Sequence, residues 1–355
     1  MGEARSLAPM DPWYIRFAEG HDIPRPVLLR AIRARVGARL RRERRGGPDA
    51  VSARQRDLRR RLADSPVAIR TEAANEQHYE VPAEFFQLCL GPRLKYSSCL
   101  FPKGIDDLAA AEDTMLALTC ERAGLDDGQD VLELGCGWGS LTLWMAQRYP
   151  SSRITAVSNS SGQRRFIEGR AAEMGLTNIE VITADVNGLE MDRTFDRIVS
   201  VEMLEHVKNH PALFARIATW LKPDGAFFVH VFSHRDLTFE FLEDDPTDWI
   251  GRHFFTGGTM PSDDLLLHAC DDLTVADHWQ VSGTHYERTA LAWDDALVAN
   301  RAAATAVLEA AHPGEGERWF RRWRMFFLAC AGLWGYRGGR EFIVSHYLFR
   351  PRATA

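Results

Sequence analysis

The 355-residue sequence lacks the patterns of several common functional classes. Its six cysteines include no C-x-x-C pair, so neither a zinc site nor a disulfide framework is indicated. It has no signal-peptide segment and no apolar run long enough to cross a bilayer, and a cytoplasmic protein without a metal site is expected. The net charge of −6 provides no electrostatic signature of nucleic-acid binding.

Two glycine-rich nucleotide motifs are also absent. A P-loop requires Gly-Lys followed by Ser or Thr, and the dinucleotide fingerprint requires G-x-G-x-x-G. Residues 131–140 read VLELGCGWGS instead, with Glu133 two positions before a G-x-G-x-G run that starts at Gly135. The apolar spacing predicts a strand, a glycine turn and a helix. An acidic residue at this spacing resembles the first motif of methyltransferases that use S-adenosylmethionine (SAM).

The central part of the chain alternates between strand and helix patterns. The predicted strands are VLELG, RITAVSNS, IEVITAD, FDRIVSVEML, GAFFVHVFS, LTVADHWQVSG and REFIVSHYLFR. Such alternation predicts an α/β fold with a parallel sheet covered on both faces, whose ligands lie at the carboxyl ends of the strands. Two helical stretches are predicted between the last two strands, and we expect the aromatic one, residues 318–336, to be core packing.

The first 70 residues are rich in arginine. An amphipathic basic helix is predicted over residues 24–45; GGPDAVSARQ is expected to break it and DLRRRLADSP to resume it. One interpretation is a helical cap whose arginines face water, and the other is contact with an anionic membrane surface. We expect residues 1–70 to form this arm and residues 71–355 the main domain, with a substrate lid inserted around 234–270.

Strand ends and glycines provide candidate SAM contacts. Gly135 and Gly137 would let the backbone lie against the amino acid part of SAM, because no Cβ intervenes. The second strand ends at Asn159, where many related folds place an acid for the ribose hydroxyls. Its amide can still bond the ribose, and Gln163 lies one helical turn onward.

The third predicted strand ends at Asp185. Its carboxylate is placed to accept a hydrogen bond from the adenine amino group, and the backbone amide of Val186 could assist. The alternative is that Asp185 only forms the turn after the strand.

Three ionisable residues, Glu202, Glu205 and His206, follow the fourth strand. Such groups are costly at a strand end unless they are exposed or used. A carboxylate–imidazole pair could hold an ammonium group and take its proton, which methyl transfer to nitrogen requires. It could equally stabilise a carbocation formed by methylating an alkene. The alternative without function is a solvated helix start, where acids are favoured.

These motifs resemble the cyclopropane-fatty-acid synthase superfamily of SAM-dependent methyltransferases, and most closely its coclaurine and pavine N-methyltransferase branch. The resemblance runs from about Asn75 to Arg350. The motifs that carry it are HYEVP, LKYSSCLF, LELGCGWGSLTL, SNSSGQ, FDRIVSVEMLEHVKN, LKPDG, FFVH, RHFFTGGTMPSDDLLL, HYERT and SHYLF. FFTGGTMPS and the SVEMLEHVKN pattern are the most specific to the N-methyltransferase branch.

The resemblance implies a Rossmann-like class I methyltransferase sheet and a set of site residues. It implies a catalytic group at Glu205 and His206, with Glu202 and Glu80 near the substrate amine. It implies SAM contacts at Ser97, Gly135, Asn159, Gln163, Asp185 and Val186. The fatty-acid branch holds a bicarbonate ion as base, and its ligand types occur here at Cys99, Glu205, His230 and Tyr286. Cys330 matches that branch too, but we interpret it as a buried helix cysteine.

The resulting prediction is a SAM-dependent methyltransferase that N-methylates a hydrophobic, benzylisoquinoline-like amine. The alternative is methylation or cyclopropanation of an unsaturated fatty acyl chain, which would add bicarbonate and peripheral membrane contact. A non-catalytic SAM-binding module is a third, less supported interpretation, because the acidic cluster would then lack a purpose. We also expect a small-molecule partner and no nucleic-acid partner. A homodimer is an open alternative to a monomer.

Overall fold

The computed structural model describes residues 11–69 and 81–352. A seven-stranded sheet lies at its centre. The strands are β1 (Asp130–Leu134), β2 (Arg153–Ser158), β3 (Ile179–Thr183), β4 (Phe195–Val201), β5 (Leu221–His234), β8 (Leu273–Ser282) and β9 (Phe342–Pro351). They lie side by side in the order β3-β2-β1-β4-β5-β9-β8. Strands β1 to β5 are parallel; β9 pairs antiparallel with β5, and β8 pairs antiparallel with β9. The predicted Rossmann-like α/β fold is confirmed.

Helices cover both faces of this sheet. They are α1 (Trp13–Gly20), α2 (Arg25–Glu43), α3 (Gly47–Ala63), α4 (Ala83–Cys89), α5 (Leu108–Ala123), α6 (Ser140–Arg148), α7 (Ser161–Glu173), α8 (His210–Trp220), α9 (Trp249–His253), α10 (Gly283–Ala299), α11 (Arg301–Ala311) and α12 (Gly316–Trp334). Alternate strand residues pack against α5 and α6 on one face and against α8 on the other. Both faces are therefore buried, as a parallel sheet requires. None of the described helices combines the length and apolar character needed to cross a membrane.

Two predicted helix boundaries are wrong. The segment GGPDAVSARQ was expected to break the basic helix, but α3 already begins at Gly47. The break is confined to a tight turn at Gly46, whose φ of +90° suits glycine, and Pro48 sits in the first helical turn, where its missing N–H costs nothing. Near the C-terminus, three helices replace the two predicted, because α10 ends before Asn300 and α11 begins at once.

The arm formed by α1 to α3 packs on the rest of the chain through ion pairs. Arginines of α2 pair with acids on the lid segment, on α10 and before β9: Arg25–Asp294, Arg33–Glu287, Arg39–Asp248 and Arg44–Glu341, at 2.6–2.8 Å. At Gly332 of α12, an added Cβ would lie 2.5 Å from Ile32 of α2, so the two helices meet closely. These contacts favour the cap interpretation. The cap differs from the prediction in one respect, because the paired arginines bind acids of the chain and do not simply face water.

The lid segment lies between β5 and β8. It contains a two-stranded sheet of β6 (Phe239–Glu240) and β7 (Thr259–Met260), helix α9, and a 3₁₀ turn at Leu265–His268. The aromatic side chains of Phe241 and Phe255 pack edge to face, with ring centroids 5.1 Å apart. Both rings belong to the large core cluster that also contains Leu40 of the arm and Phe326 of α12, so the segment around 234–270 packs into the main core.

A buried imidazole at the start of α8 makes folding sensitive to acid. His210 is 3% exposed, and burial lowers its pKa to about 4 although the Leu204 carbonyl opposes this. In the unfolded chain the pKa is about 6.5, so the unfolded state binds the extra proton between these values. His210 therefore contributes stability that is present above pH 6.5 and is lost as the pH falls towards 4.

We expect His210→Gln to flatten the pH dependence of the unfolding free energy by close to one proton between pH 6.5 and 4.5. Glutamine can still donate to the Leu204 carbonyl but does not titrate. Urea unfolding at several pH values measures this slope. The matched control is His268→Gln, because the His268 side chain is 50% exposed. An unchanged slope in His210→Gln would contradict the assignment.

Candidate active site

A cavity of about 100 Å³ opens at the carboxyl ends of β1, β2 and β4. Its polar lining residues are Ser158, Asn159, Gln163, Glu202 and His206, together with Gly135 and Gly137 of the glycine turn. The rest of the wall is apolar: Ala68, Ile69, Leu134, Val157, Ala184, Val186, Leu189, Met203 and Val207. Five of the predicted SAM contacts, Gly135, Gly137, Asn159, Gln163 and Val186, thus surround one cavity.

At Gly135, in the turn after β1, there is no room for a side chain. Gly135 has a φ of +81°, and a Cβ built there would lie 2.6 Å from the Cβ and Cγ atoms of Met203. The amides of Gly135 and Cys136 both donate to the Val157 carbonyl at 3.0 Å, which holds the turn in place. Glycine is therefore required here both for conformation and for close approach.

Gln163 presents an unpaired donor beside this turn. Its Oε1 accepts a hydrogen bond from the Ser158 hydroxyl at 2.6 Å, and the residue is 2% exposed. Its Nε2 has no partner among the described residues. A buried donor left unpaired costs about 1–3 kcal/mol, so this site fits a ligand with hydroxyl oxygens, as the ribose of SAM has. Ser158, which orients the amide, was not predicted.

Other predicted site residues lie away from the cavity. Ser97 is buried behind its wall, and its hydroxyl accepts a hydrogen bond from Lys95 Nζ at 2.5 Å. Asp185 is exposed, and its Oδ1 accepts a hydrogen bond from the Asn187 amide at 2.7 Å. This contact fits the alternative in which Asp185 forms the turn after β3. Glu80 falls between residues 69 and 81, outside the described residues.

A second cavity of about 100 Å³ meets the first at Glu202 and His206, which line both. Its remaining lining is mainly aromatic: Tyr96, Phe232, Phe241, Phe255, Tyr286, Trp293, Phe326 and Trp334, with Ile250, Cys330 and Leu333. Four of these residues, at positions 326, 330, 333 and 334, lie on one face of α12. From the sequence, this helix was predicted to be core packing and Cys330 a buried helix cysteine. The i, i+4, i+7, i+8 spacing of the four residues was the pattern that placed them on one common face.

The Glu202 carboxylate is held at the boundary of the two cavities. Its Oε1 accepts from the Ser98 amide at 2.9 Å and from His230 Nε2 at 3.2 Å. Its Oε2 accepts from the Tyr286 hydroxyl at 2.6 Å. The backbone φ of +47° is costly for a residue with a side chain, and such strain is typical of functional sites. Burial raises the pKa of Glu202, and the charge of Lys95 is the largest opposing influence.

Glu205 and His206 differ in their access to the cavities. Glu205 is 1% exposed and lines neither cavity; its Oε1 accepts from the Phe232 amide at 2.9 Å. Its Oε2 has no partner in the described part of the chain, and burial, together with the charge of Glu202, raises its pKa well above the ordinary value. His206 packs on the Phe255 ring, and burial lowers its pKa to about 4. A fixed carboxylate and a neutral imidazole therefore meet at the junction of the cavities.

A larger apolar cavity of about 690 Å³ lies between the arm, the lid segment and α12. It shares Phe241, Ile250 and Leu333 with the aromatic cavity, so these three side chains separate the two spaces. The sequence analysis did not predict this cavity, because its walls come from three distant segments.

Comparison with known proteins gives a consistent set of matches. The family model described as mycolic acid cyclopropane synthetase matches residues 68–338. The chain is 36% identical over 335 residues to (S)-coclaurine N-methyltransferase of Thalictrum flavum subsp. glaucum, which covers 93% of each chain. It is 32% identical over 264 residues to the cyclopropane-fatty-acyl-phospholipid synthase of Escherichia coli (strain K12), covering 74% of this chain and 64% of that one.

The fold matches the crystal structure of a coclaurine N-methyltransferase bound to N-methylheliamine and SAH. The TM-score is 0.91 at 34% identity, and the match covers 95% of this chain and 98% of that chain. The similarity therefore includes the sheet and extends over most of the arm and the lid segment.

We expect Gly135→Ala to lower SAM affinity roughly tenfold or more, a loss of about 1.4 kcal/mol of binding free energy, because the new Cβ must displace Met203 from the cavity wall. The matched control is Gly128→Ala. Gly128 has a similar φ of +87°, but a Cβ there meets nothing within 4 Å. Isothermal titration calorimetry measures both affinities. Unchanged SAM binding by a folded Gly135→Ala variant would contradict the assignment of this cavity.

Proposed function

The chain belongs to the mycolic acid cyclopropane synthetase family of SAM-dependent methyltransferases, and from that premise we propose that it N-methylates a hydrophobic amine. The observation that carries this proposal is the Glu202 carboxylate, held by three hydrogen bonds where the cavity at the strand ends meets the aromatic one. The relatives named as coclaurine N-methyltransferases support the amine as acceptor.

SAM supplies, when bound, a methyl group on a sulfonium centre that can be displaced in line. We propose that Gly135 and Gly137 allow its close approach, and that Asn159 and Gln163 bond its ribose hydroxyls. The Val186 amide lies on the wall proposed for the adenine.

Two further residues have less direct roles in this proposal. Asp185 is retained as a proposed adenine contact on the resemblance alone. Ser97 would support the groove from behind, since its hydroxyl is bonded to Lys95.

The aromatic cavity is proposed to hold the apolar body of the amine. Tyr286 and Trp334 stack there with ring centroids 4.2 Å apart, and aromatic faces attract cations. A carboxylate has about four acceptor positions, and the named donors occupy three of those on Glu202. The fourth could accept from a substrate ammonium group, so Glu202 would anchor the cation.

His206 is proposed to accept the proton that the ammonium must lose before its nitrogen can attack. Burial lowers its pKa to about 4, so the imidazole is neutral near pH 7. So weak a base cannot hold the ammonium proton at rest, and His206 is proposed to relay that proton to water as the nitrogen attacks. Glu205 is proposed to support this transfer from behind the wall, because it lines neither cavity. Burial and the charge of Glu202 raise its pKa, which favours its protonated form relative to an ordinary carboxyl group. Glu80 is retained as a proposed substrate contact on the resemblance alone.

The fatty acyl alternative is less well supported. His230 and Tyr286, which the resemblance offers to bicarbonate, already donate to the Glu202 carboxylate. Several arginines of α2 pair within the chain, which weakens the case for a membrane-binding arm. The cytoplasmic location and the homodimer stay predictions.

Incubation with labelled SAM and either benzylisoquinoline-type amines or vesicles of unsaturated phospholipid separates the two reactions. We expect the label on nitrogen, with a product one methyl group heavier than the amine. Boiled enzyme is the control for non-enzymatic transfer. A methyl or methylene group on the acyl chain, with no amine product, would overturn the proposal.

We expect Glu202→Gln and His206→Ala each to lower kcat/KM by roughly 10²–10⁴-fold, the range typical of general acid–base groups, and to bind SAM normally. Raising the pH should partly rescue His206→Ala, because more of the amine is then already neutral. Glu202→Gln should be rescued less, since it also loses the anchor for the cation.

Glu205→Gln should lower kcat/KM less than Glu202→Gln, because Glu205 lies behind the cavity wall. Asp236→Asn, an exposed carboxylate of the lid segment, is the surface control. Full activity of both Glu202→Gln and His206→Ala across the pH range, or loss of SAM binding in step with activity, would contradict these roles.

A further inference from the structure

A chain of hydrogen bonds leads from Glu202 across the sheet to Arg122 on α5. His230 Nε2 lies 3.2 Å from Glu202 Oε1, and His230 Nδ1 lies 3.0 Å from His346 Nε2. His346 Nδ1 lies 2.8 Å from Arg122 Nη1. The two histidines are register partners on the antiparallel strands β5 and β9, so the sheet itself places their rings side by side.

The direction of every bond in this chain follows from its arginine end. A guanidinium group donates hydrogen bonds and accepts none, so His346 Nδ1 must be the acceptor. A neutral His346 then carries its proton on Nε2 and donates it to His230 Nδ1. His230 likewise carries its proton on Nε2 and donates to Glu202. All three bonds therefore point from Arg122 towards the carboxylate.

Both imidazoles are held in the neutral form that this arrangement requires. His230 is 1% and His346 is 0% exposed. Burial is the largest cause that lowers the pKa of each well below the ordinary value, and positive charges on Lys95 and Arg122 add to it. A second proton on either ring would remove the acceptor atom and break the chain.

The groups around each end of this hydrogen-bond chain either favour or oppose the ionised form of its terminal residue. At Glu202, the charge of Lys95 and the hydrogen bonds from Ser98 and Tyr286 favour the ionised form, and burial opposes it. Negative charge on Glu205 repels negative charge on Glu202, as the raised pKa of Glu205 reflects.

At the other end, Arg122 is partly buried under the Trp279 ring, 4.8 Å from its centroid. Burial lowers the pKa of Arg122, and the acids Glu121 and Asp277 oppose this. A guanidinium group nevertheless keeps its charge in proteins, so the positive end of the chain is retained.

We propose that Arg122, His346 and His230 form a directional relay that keeps Glu202 ionised, which makes Arg122 a positioning residue for methyl transfer. Hydrogen bonds to the ionised form of an acid lower its pKa, and bonds in a chain polarise one another. The kinetic part of this inference rests on the proposed N-methylation, whereas the arrangement of protons does not.

The first test reads the protons directly. In ¹⁵N-histidine-labelled protein, we expect NMR to show His346 neutral with its proton on Nε2. Arg122→Met should remove the donor to His346 Nδ1 and shift the ¹⁵N resonance of that atom, while the proton stays on Nε2 because the Glu202 carboxylate at the other end can only accept; Arg122→Lys should keep the wild-type resonance. An unchanged His346 spectrum in Arg122→Met overturns the relay, whatever reaction the enzyme catalyses.

The second test uses the pH profile of kcat/KM. A direct charge partner shifts a carboxyl pKa by about 1–3 units, so loss of a charge two imidazoles away should shift it by roughly half a unit to one unit. Without the relay the pKa of Glu202 rises, so the acid limb of Arg122→Met should move to higher pH. Arg122→Lys should restore most of the shift.

Arg197→Met is the matched control for the kinetic test. Arg197 is also partly buried and bonds the Gly124 carbonyl at the end of α5, but it does not touch the relay. Its loss should lower stability without moving the acid limb. An acid limb that moves equally in both arginine variants, or in neither, overturns the proposal. If no amine is methylated at all, the proposed function fails while the NMR test still decides the relay.

Discussion

Burying the Glu202 carboxylate imposes a cost that the surrounding structure is arranged to offset. A charge removed from water costs several kcal/mol unless it is paired and hydrogen-bonded. The compensating groups come from separate parts of the chain: Lys95 and Ser98 precede α5, His230 lies on β5 and Tyr286 on α10. The carboxylate can exist in this position only when the sheet, α10 and the segment before α5 are all in place.

The same carboxylate also explains why the two cavities differ. On one side the glycine turn after β1 and the Gln163 amide offer backbone space and an unpaired donor, which suit a polar cofactor. On the other side aromatic rings from the lid segment, α10 and α12 form a largely apolar wall. The hydrogen-bonded Glu202 carboxyl group and the neutral His206 imidazole lie at the boundary, and this combination suits an amine better than an alkene.

Family membership alone does not choose the acceptor. The chain is similar to N-methyltransferases and to a cyclopropane-fatty-acyl-phospholipid synthase, and both reactions take a methyl group from SAM. The lining of the aromatic cavity distinguishes the two acceptors, since it combines aromatic faces, which attract cations, with the Glu202 carboxyl group. The neutral state of His206 adds to this distinction, because an imidazole that was already protonated could not accept a proton from an amine.

The sequence by itself determined the α/β fold, the order of its strands along the chain and the glycine turn, because strand periodicity and the need for glycine are local properties. It also indicated that Glu202, Glu205 and His206 lie together after β4, since three residues so close in sequence share one strand end. It did not show that Glu202 lines both cavities while Glu205 lies behind them, because that depends on the left-handed backbone at Glu202 and on the Phe232 amide.

Only the tertiary structure decided which distant side chains meet. The pairing of His230 with His346 follows from the register between β5 and β9, which lie more than a hundred residues apart in sequence, and their contact with Arg122 depends on how α5 packs on that sheet. The aromatic face of α12 looked like core packing because helical spacing does not say whether a buried face meets side chains or a cavity. The local pattern determines which face of its own helix or strand a residue lies on. What that face meets, side chains or a cavity, is determined by elements far away in the chain.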